Sequence, residues 1–310
     1  MYPGKYAEQN PDRSAFVMAA TGERVSYQKF EARSNRVAHY LADKGLGFQD
    51  HYSIFMENNN RYLESCAAGE RSGLYFTCIN SFLTSDELAY IINNSESQIL
   101  ITSMSKLEAA QEALAQCTAI KEVLVVGAGD ADLPEGMSDF ESTLSKYPET
   151  PLERELLGAA MLYSSGTTGR PKGIVRPLPE QSPDEPLPVI GFLSGLWRYR
   201  EDMIYLSPAP LYHSAPQAAV GLTLRMGGTV VIMERFDPAD YLRFVEEYQV
   251  SHSQLVPTMF SRMLKMPEED RTKFDLSSLE VAVHAAAPCP VLVKRQMIDW
   301  WGPIIHEYYG

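Results

Sequence analysis

Cysteine is scarce in this chain of 310 residues: Cys66, Cys78, Cys117 and Cys289 are scattered, with no Cys-x-x-Cys pair. That excludes a disulfide framework or a thiolate metal site as the organising device. The four thiols read as small buried hydrophobes suited to a reducing cytoplasm. Basic residues are also in short supply, 27 Lys and Arg against 40 Asp and Glu, for a formal net charge of −13. Nucleic acid and an anionic membrane are thereby excluded as the main partner, whereas a nucleotide, which needs only local donors, is not. No integral membrane segment is expected, because the longest apolar candidate, 218–233, is broken by Arg225 and is too short to span a bilayer. The opening Met1-Tyr2-Pro3-Gly4-Lys5 lacks the apolar core of a signal peptide. Peripheral attachment to a membrane stays open beside the cytoplasmic reading, though no amphipathic basic helix argues for it, and there is no repeat of solenoid length.

What is present is an alternation of short apolar runs with helical patterns. Residues 17–19 and 24–27 flank Thr21-Gly22 and predict a hairpin. A helix follows with Phe30, Val37, Ala38 and Leu41 on one face. Strands are expected at 52–56, 74–79, 99–102, 123–126, 203–207, 229–233, 253–256, 279–284 and 303–307. Capping-box spacings at Thr84/Glu87, Ser105/Glu108 and Ser138/Glu141 open helices between them, and Asp237-Pro238 opens another. Such alternation implies βαβ units, hence an α/β fold of two lobes, each a parallel sheet flanked by helices. The proline- and acid-rich stretch 177–188 reads as an exposed connector. The expected division is 1–45 packing with the second lobe, 46–190 as the first lobe and 191–310 as the second.

One decapeptide carries chemistry. Ser164-Ser165-Gly166-Thr167-Thr168-Gly169-Arg170-Pro171-Lys172-Gly173 follows the apolar Ala159-Ala160-Met161-Leu162-Tyr163, which reads as a buried strand. Its glycines let backbone N–H groups approach oxyanions, its four hydroxyls donate, and Lys172 brings a compact charge to a terminal phosphate. The spacing is not that of a Walker A loop, because the glycines are three apart and Lys172 precedes a glycine.

The segment instead resembles the phosphate loop of adenylate-forming enzymes, the superfamily of acyl-CoA synthetases, luciferases and peptide-synthetase adenylation domains. Further stretches resemble that family in its own order. Val25-Ser26-Tyr27-Gln28-Lys29-Phe30 is similar to its first helix start, and Ser72-Gly73-Leu74-Tyr75-Phe76-Thr77-Cys78-Ile79-Asn80 to its second core motif. Pro210-Leu211-Tyr212-His213-Ser214 resembles the segment beside the acyl pocket in acyl-CoA synthetases. Ala285-Ala286-Ala287-Pro288 resembles the adenine-binding turn, and His306-Glu307-Tyr308-Tyr309-Gly310 the start of the motif whose aromatic residue, here Tyr309, stacks on adenine.

The resemblance implies Thr167, Lys172 and His213 as catalytic residues. It implies Ser164, Ser165, Gly166, Thr168, Gly169, Ala286, Ala287, Pro288 and Tyr309 as nucleotide-binding ones. ATP, Mg²⁺ and coenzyme A would be the cofactor and co-substrates. A carboxylic acid, most like a medium- or long-chain fatty acid, would be activated to an acyl-adenylate and passed to CoA, releasing pyrophosphate and AMP.

By the same comparison the Mg²⁺ carboxylate, the ribose-binding aspartate and the C-terminal lysine domain fall beyond Gly310. The chain is therefore expected to be the N-terminal part of a ligase, truncated before the C-terminal domain and nearly inactive alone. An acyl-AMP ligase loading a carrier protein and a non-catalytic nucleotide-binding fragment stay open as alternatives. Three local readings also stay open: tight helix–strand packing for the Ala285–Ala287 run, an N-cap or an acyl-tunnel wall for Thr258, and packing alone for Trp197, Trp300 and Trp301. The apolar stretch 215–226 is compatible with a fatty-acyl channel and equally with a core helix.

Overall fold

A computed structural model describes residues 2–164 and 170–309. In chain order its strands are β1 (Ser14–Met18), β2 (Arg24–Ser26), β3 (His51–Phe55), β4 (Tyr75–Cys78), β5 (Ile99–Ser103), β6 (Glu122–Val126), β7 (Met137–Asp139), β8 (Ala159–Ala160), β9 (Leu162–Ser164) and β10 (Lys172–Ile174). There follow β11 (Ile204–Ser207), β12 (Thr229–Ile232), β13 (His252–Leu255), β14 (Val281–His284) and β15 (Ile305–Glu307). They form two compact units, one of Met1–Asp12, Tyr27–Glu185 and Leu211–Ser214, the other of Arg13–Ser26, Pro186–Pro210 and Ala215–Gly310.

The first unit holds a six-stranded, wholly parallel sheet in the order β7-β6-β5-β3-β4-β8, beside the antiparallel pair β9-β10. Strands β3 to β6 are buried almost throughout, as expected where helices cover both faces. The order reverses between β3 and β5, the topological switch point outside which ligands gather in open α/β sheets. In the second unit seven strands run β15-β14-β13-β11-β12-β1-β2, all parallel except the hairpin partner β2.

The expected α/β class and parallel sheets hold, and the predicted face of the helix Tyr27–Asp43 (Phe30, Val37, Ala38, Leu41) is fully buried. The division of the chain runs differently from the expected boundaries. Within 1–45, the hairpin β1–β2 belongs to the second unit because β1 pairs in parallel with β12, whereas Tyr27–Asp43 belongs to the first, where it packs on Tyr62–Arg71.

Two of the three capping boxes are also corrected. Thr84 caps Ser85–Asn94 as a full box with Glu87. Ser105 instead sits in a single 3₁₀ turn, its hydroxyl donating to Glu57, and Leu107–Leu114 starts without a side-chain cap. Ser138 lies in β7, and the neighbouring Asp139 takes the cap position, accepting from the Ser142 N–H. The stretch 159–163 is not a buried strand: β8 is an edge strand with both residues half-buried, and only Met161 is fully covered. The stretch 177–188 is mostly exposed, with Leu178 buried against Tyr75 and Met161. The helix Pro188–Trp197 beyond it was not foreseen.

The path of the chain into the β9–β10 pair is set by backbone approach. The Leu156 and Gly158 amides donate to Arg71 and Glu70 at the end of Tyr62–Arg71, and the Ala159 and Met161 amides donate to Leu74 and Phe76 of the β4 segment. A Cβ on Gly158 would stand 2.1 Å from the Gly69 carbonyl oxygen and 2.4 Å from that of Leu74. Both obstacles are backbone and cannot swing aside. Gly158→Ala should therefore destabilise the protein by about 3 kcal/mol, the upper end for overpacking, read as a drop in urea midpoint at unchanged m-value.

Glu64 is wholly buried in the first unit. Its Oε1 accepts from Arg33 (3.1 Å) and Arg61 (3.4 Å), while Oε2 is buried without a donor. Desolvation outweighs the two guanidiniums and lifts its pKa to about 7. The folded state thus holds a proton that the unfolded chain releases near the ordinary carboxylate value of 4.5. This contribution to stability is full below that value and is lost as pH rises through about 7. Urea titrations of wild type and Glu64→Gln should differ in slope across this window, the variant being the flatter.

Candidate functional site

In the first unit β9 and β10 bring the two ends of the expected phosphate loop together. Ser164 pairs with Lys172, Tyr163 with Gly173 and Leu162 with Ile174. Ser165, Gly166, Thr167, Thr168 and Gly169 lie outside the described residues. The flanks are tied to the helix Ser85–Asn94: the Tyr90 hydroxyl donates to the Pro171 carbonyl at 3.1 Å, and the Tyr163 hydroxyl donates to Asn94 Oδ1 at 2.7 Å. Arg170 lies over the Tyr90 ring, 5.0 Å from its centroid, so its charge is held at the loop base by cation–π attraction. Lys172 stays exposed on β10, a solvated cation that a phosphate can approach. Tyr90 and Asn94 were not foreseen; the Thr84 capping box that fixes their helix was the one legible sign.

The segment Leu211–Ser214 belongs to the same unit. Asn58, three residues past β3, accepts from the Leu211 amide through Oδ1 at 2.9 Å, and the Leu211 side chain is fully buried. That places Tyr212 and His213 by the carboxyl end of a switch-point strand. At the same end Glu57 accepts from Ser103 and Ser105, and these hydroxyls help hold its carboxyl below the usual range. The Tyr212 and His213 rings lie 4.4 Å apart, tilted. His213 keeps an exposed edge, but partial desolvation pulls its pKa below the ordinary imidazole value, favouring the neutral ring.

In the second unit Ala285–Pro288 follows β14 at the carboxyl edge of the sheet, with Ala286, Ala287 and Pro288 exposed. Ala286 has φ +74°, a left-handed conformation an alanine adopts at a cost. Tyr309, just past β15, is fully exposed, so both ring faces are free to stack. Its neighbour Tyr308 is half-buried, in contact with Trp197 and accepting at its hydroxyl from Gln254 (2.8 Å).

Beneath the turn, His284 is fully buried edge-on to Phe260. Its Nε2 is 4.0 Å from the Glu307 carboxylate, which Lys294 holds at 2.5 Å. Burial, with Lys294 nearby, lowers the His284 pKa. This group was also missed, since an isolated His in Val283-His284-Ala285 carries no spacing signal.

Two open readings are narrowed. Thr258 is not an N-cap: Val256 precedes the helix Pro257–Leu264, and Thr258 is exposed within its first turn. The apolar residues of Ser214–Arg225, including Val220, Leu222 and Leu224, are buried, and core packing accounts for them.

A family model described as AMP-binding enzyme matches residues 5–310. The chain belongs to the AMP-binding enzyme family. It is 28% identical over 282 residues to 4-coumarate–CoA ligase 1 of Petroselinum crispum, covering 89% of this chain and 50% of that protein. To the medium/long-chain-fatty-acid–CoA ligase FadD8 of Mycobacterium tuberculosis it is 26% identical over 288 residues, covering 89% and 49%. The ATP-bound structure of MatB from Rhodopseudomonas palustris superposes with a TM-score of 0.78 at 26% identity, covering 100% of this chain and 60% of that one. The chain thus spans about half the length of the curated relatives it matches.

Among the described residues of this member of the AMP-binding enzyme family, no three His, Cys, Asp or Glu side chains group to hold a metal ion. No Mg²⁺ ligand is therefore assigned to it. No helix of the described residues is long and apolar enough to cross a membrane.

The conformation of the turn generates a test. Ala286→Gly should raise unfolding free energy by about 0.5–1 kcal/mol, the left-handed penalty relieved less the entropy a glycine adds to the unfolded chain. Ala287→Gly, at ordinary φ, should lower it, and the two are compared by urea denaturation.

Proposed function

We propose that the chain is the nucleotide-handling part of an ATP-dependent acid–thiol ligase. In this reading a carboxylate attacks the α-phosphorus of ATP to give an acyl-adenylate and pyrophosphate, and the CoA thiol then displaces AMP. The observation that carries the reading is the anchored β9–β10 pair. It offers a seven-residue connection rich in Gly, Ser and Thr, with Lys172 exposed at its exit.

The residues have separable roles. Ser164, Ser165, Gly166, Thr167, Thr168 and Gly169 would wrap the β- and γ-phosphates, and Lys172 would neutralise charge on the departing pyrophosphate. Ala286, Ala287 and Pro288 would let the adenine approach the backbone, and Tyr309 would stack on it. His213, neutral beside Tyr212, would present a hydrogen bond to the reacting carboxylate end of the acid. The acid is read as a medium- or long-chain fatty acid, supported by the similarity to FadD8.

Binding measurements on the 310-residue protein test this reading. A fluorescent ATP analogue should bind, and Lys172→Ala should weaken it about tenfold, the worth of a charge-assisted contact. Unchanged affinity in that variant would remove the loop from the site. A non-hydrolysable fatty-acyl adenylate mimic should bind more tightly than AMP; equal affinities would reduce the protein to a nucleotide-binding module.

A further inference from the structure

A cavity of about 400 Å³ opens in the second unit between Phe274, Leu276, Leu279, Trp300, Trp301 and Ile304, with Thr272 and Ser277 at its polar margin. Leu279 and Ile304 lie just before β14 and β15, at the amino ends of these parallel strands. The Ala285–Pro288 turn and Tyr309 follow the same strands at their carboxyl ends. The cavity is therefore at the opposite edge of the sheet from the candidate adenine site. Its volume falls in the range of small-molecule sites.

Besides the Thr272 and Ser277 hydroxyls, two donors without acceptors lie in or beside the lining. Trp301 lines the cavity, and its indole Nε1–H is buried with no hydrogen-bond partner. The Arg271 guanidinium lies over the Trp300 ring, 5.2 Å from the centroid, and its Nε is likewise buried and unpartnered. Buried donors without acceptors are costly, and an unpaired guanidinium more so. The two-tryptophan, leucine and phenylalanine lining fits an apolar body, while an N–H and a cation without an anion fit a carboxylate.

We infer that this cavity is a second ligand site, taking an amphipathic carboxylate with a short to medium aliphatic or aromatic body. The carboxylate faces Arg271 and Trp301, and the body lies against Trp300, Phe274 and Leu276. The inference stands apart from the ligase reading, since it uses no residue of the expected phosphate loop or adenine turn.

Two of the three tryptophans border the cavity, so intrinsic fluorescence reports on it directly. In a Trp197→Phe background, which leaves only those two, octanoate should change the emission saturably. Half-saturation should come at about one-tenth of the concentration that 1-octanol requires, the worth of one charge-assisted contact. Arg271→Gln should raise the octanoate midpoint about tenfold and leave octanol unmoved. Ser277→Phe, filling the mouth from an exposed position, should weaken both probes, and it keeps the test independent of the Arg271 change.

The site is overturned by the absence of an octanoate response, by equal responses to octanoate and octanol, or by an octanoate response that survives both Arg271→Gln and Ser277→Phe. The wild-type protein titrated in parallel shows whether Trp197→Phe itself disturbs the fold. If it does, the same comparisons are read from the wild-type emission.

Discussion

The β9–β10 pair, whose connection is proposed to hold the phosphates, depends on one close approach of backbone to backbone. Where Gly158 passes the end of the helix Tyr62–Arg71, its amide bonds to the Glu70 carbonyl, and its missing side chain leaves room for the carbonyls of Gly69 and Leu74. Only there can the incoming chain lie flat enough for β8 to join the edge of the sheet beside β4 and for β9 to start two residues later. The neighbouring charges reinforce the same junction. Arg71, wholly buried, makes paired contacts to Glu31 (2.9 and 2.5 Å) and lies 3.5 Å from Glu155, which also accepts from the Tyr2 hydroxyl. A buried guanidinium shared between two carboxylates holds its partners by geometry as well as charge. It fixes residue 155 three positions before the glycine.

From that junction onward the site is built by local ties. The β9–β10 pairing fixes both ends of the loop, Tyr90 and Asn94 fasten its flanks to a capped helix, and Asn58 fastens the Leu211–Ser214 segment to the end of β3. Each side-chain tie is one hydrogen bond, worth about 1 kcal/mol net. Their effect is positional: groups that act on a transferring phosphate or a reacting carboxylate gain most from being placed before the ligand arrives. The first unit thereby presents Lys172 and His213, and the second presents Ala286 and Tyr309.

Much of this was legible in the sequence, and the misses have physical causes. Alternating apolar runs and helical patterns revealed the parallel sheets, because strands buried on both faces must be apolar throughout. Strand order was not legible: nothing in Ser14–Met18 announces a partner more than two hundred residues away in β12. The caps show the limit of spacing rules. Thr84 and Glu87 had no better partner than each other, whereas Ser105 is drawn to Glu57 and Ser138 yields to Asp139, whose carboxylate is the stronger acceptor. The strands flanking the expected phosphate loop are found paired, while their anchors were not legible, since a Tyr and an Asn on an amphipathic helix look like any half-buried pair.

The two cations flanking the loop illustrate how one sequence assigns different work to similar charges. Arg170 and Lys172 are two residues apart, and both are exposed. The guanidinium is planar and weakly hydrated, and it settles over the Tyr90 ring; the ammonium, compact and strongly hydrated, has no such face to lie on and remains in water on β10. A charge already engaged with an aromatic ring must give up that contact to meet an anion, whereas a free ammonium gives up only water. Pro171 lies between them, its carbonyl accepting from the Tyr90 hydroxyl. In the proposed function the lysine is therefore the better placed of the two to meet a phosphate, a division that follows from their hydration and not from their charge.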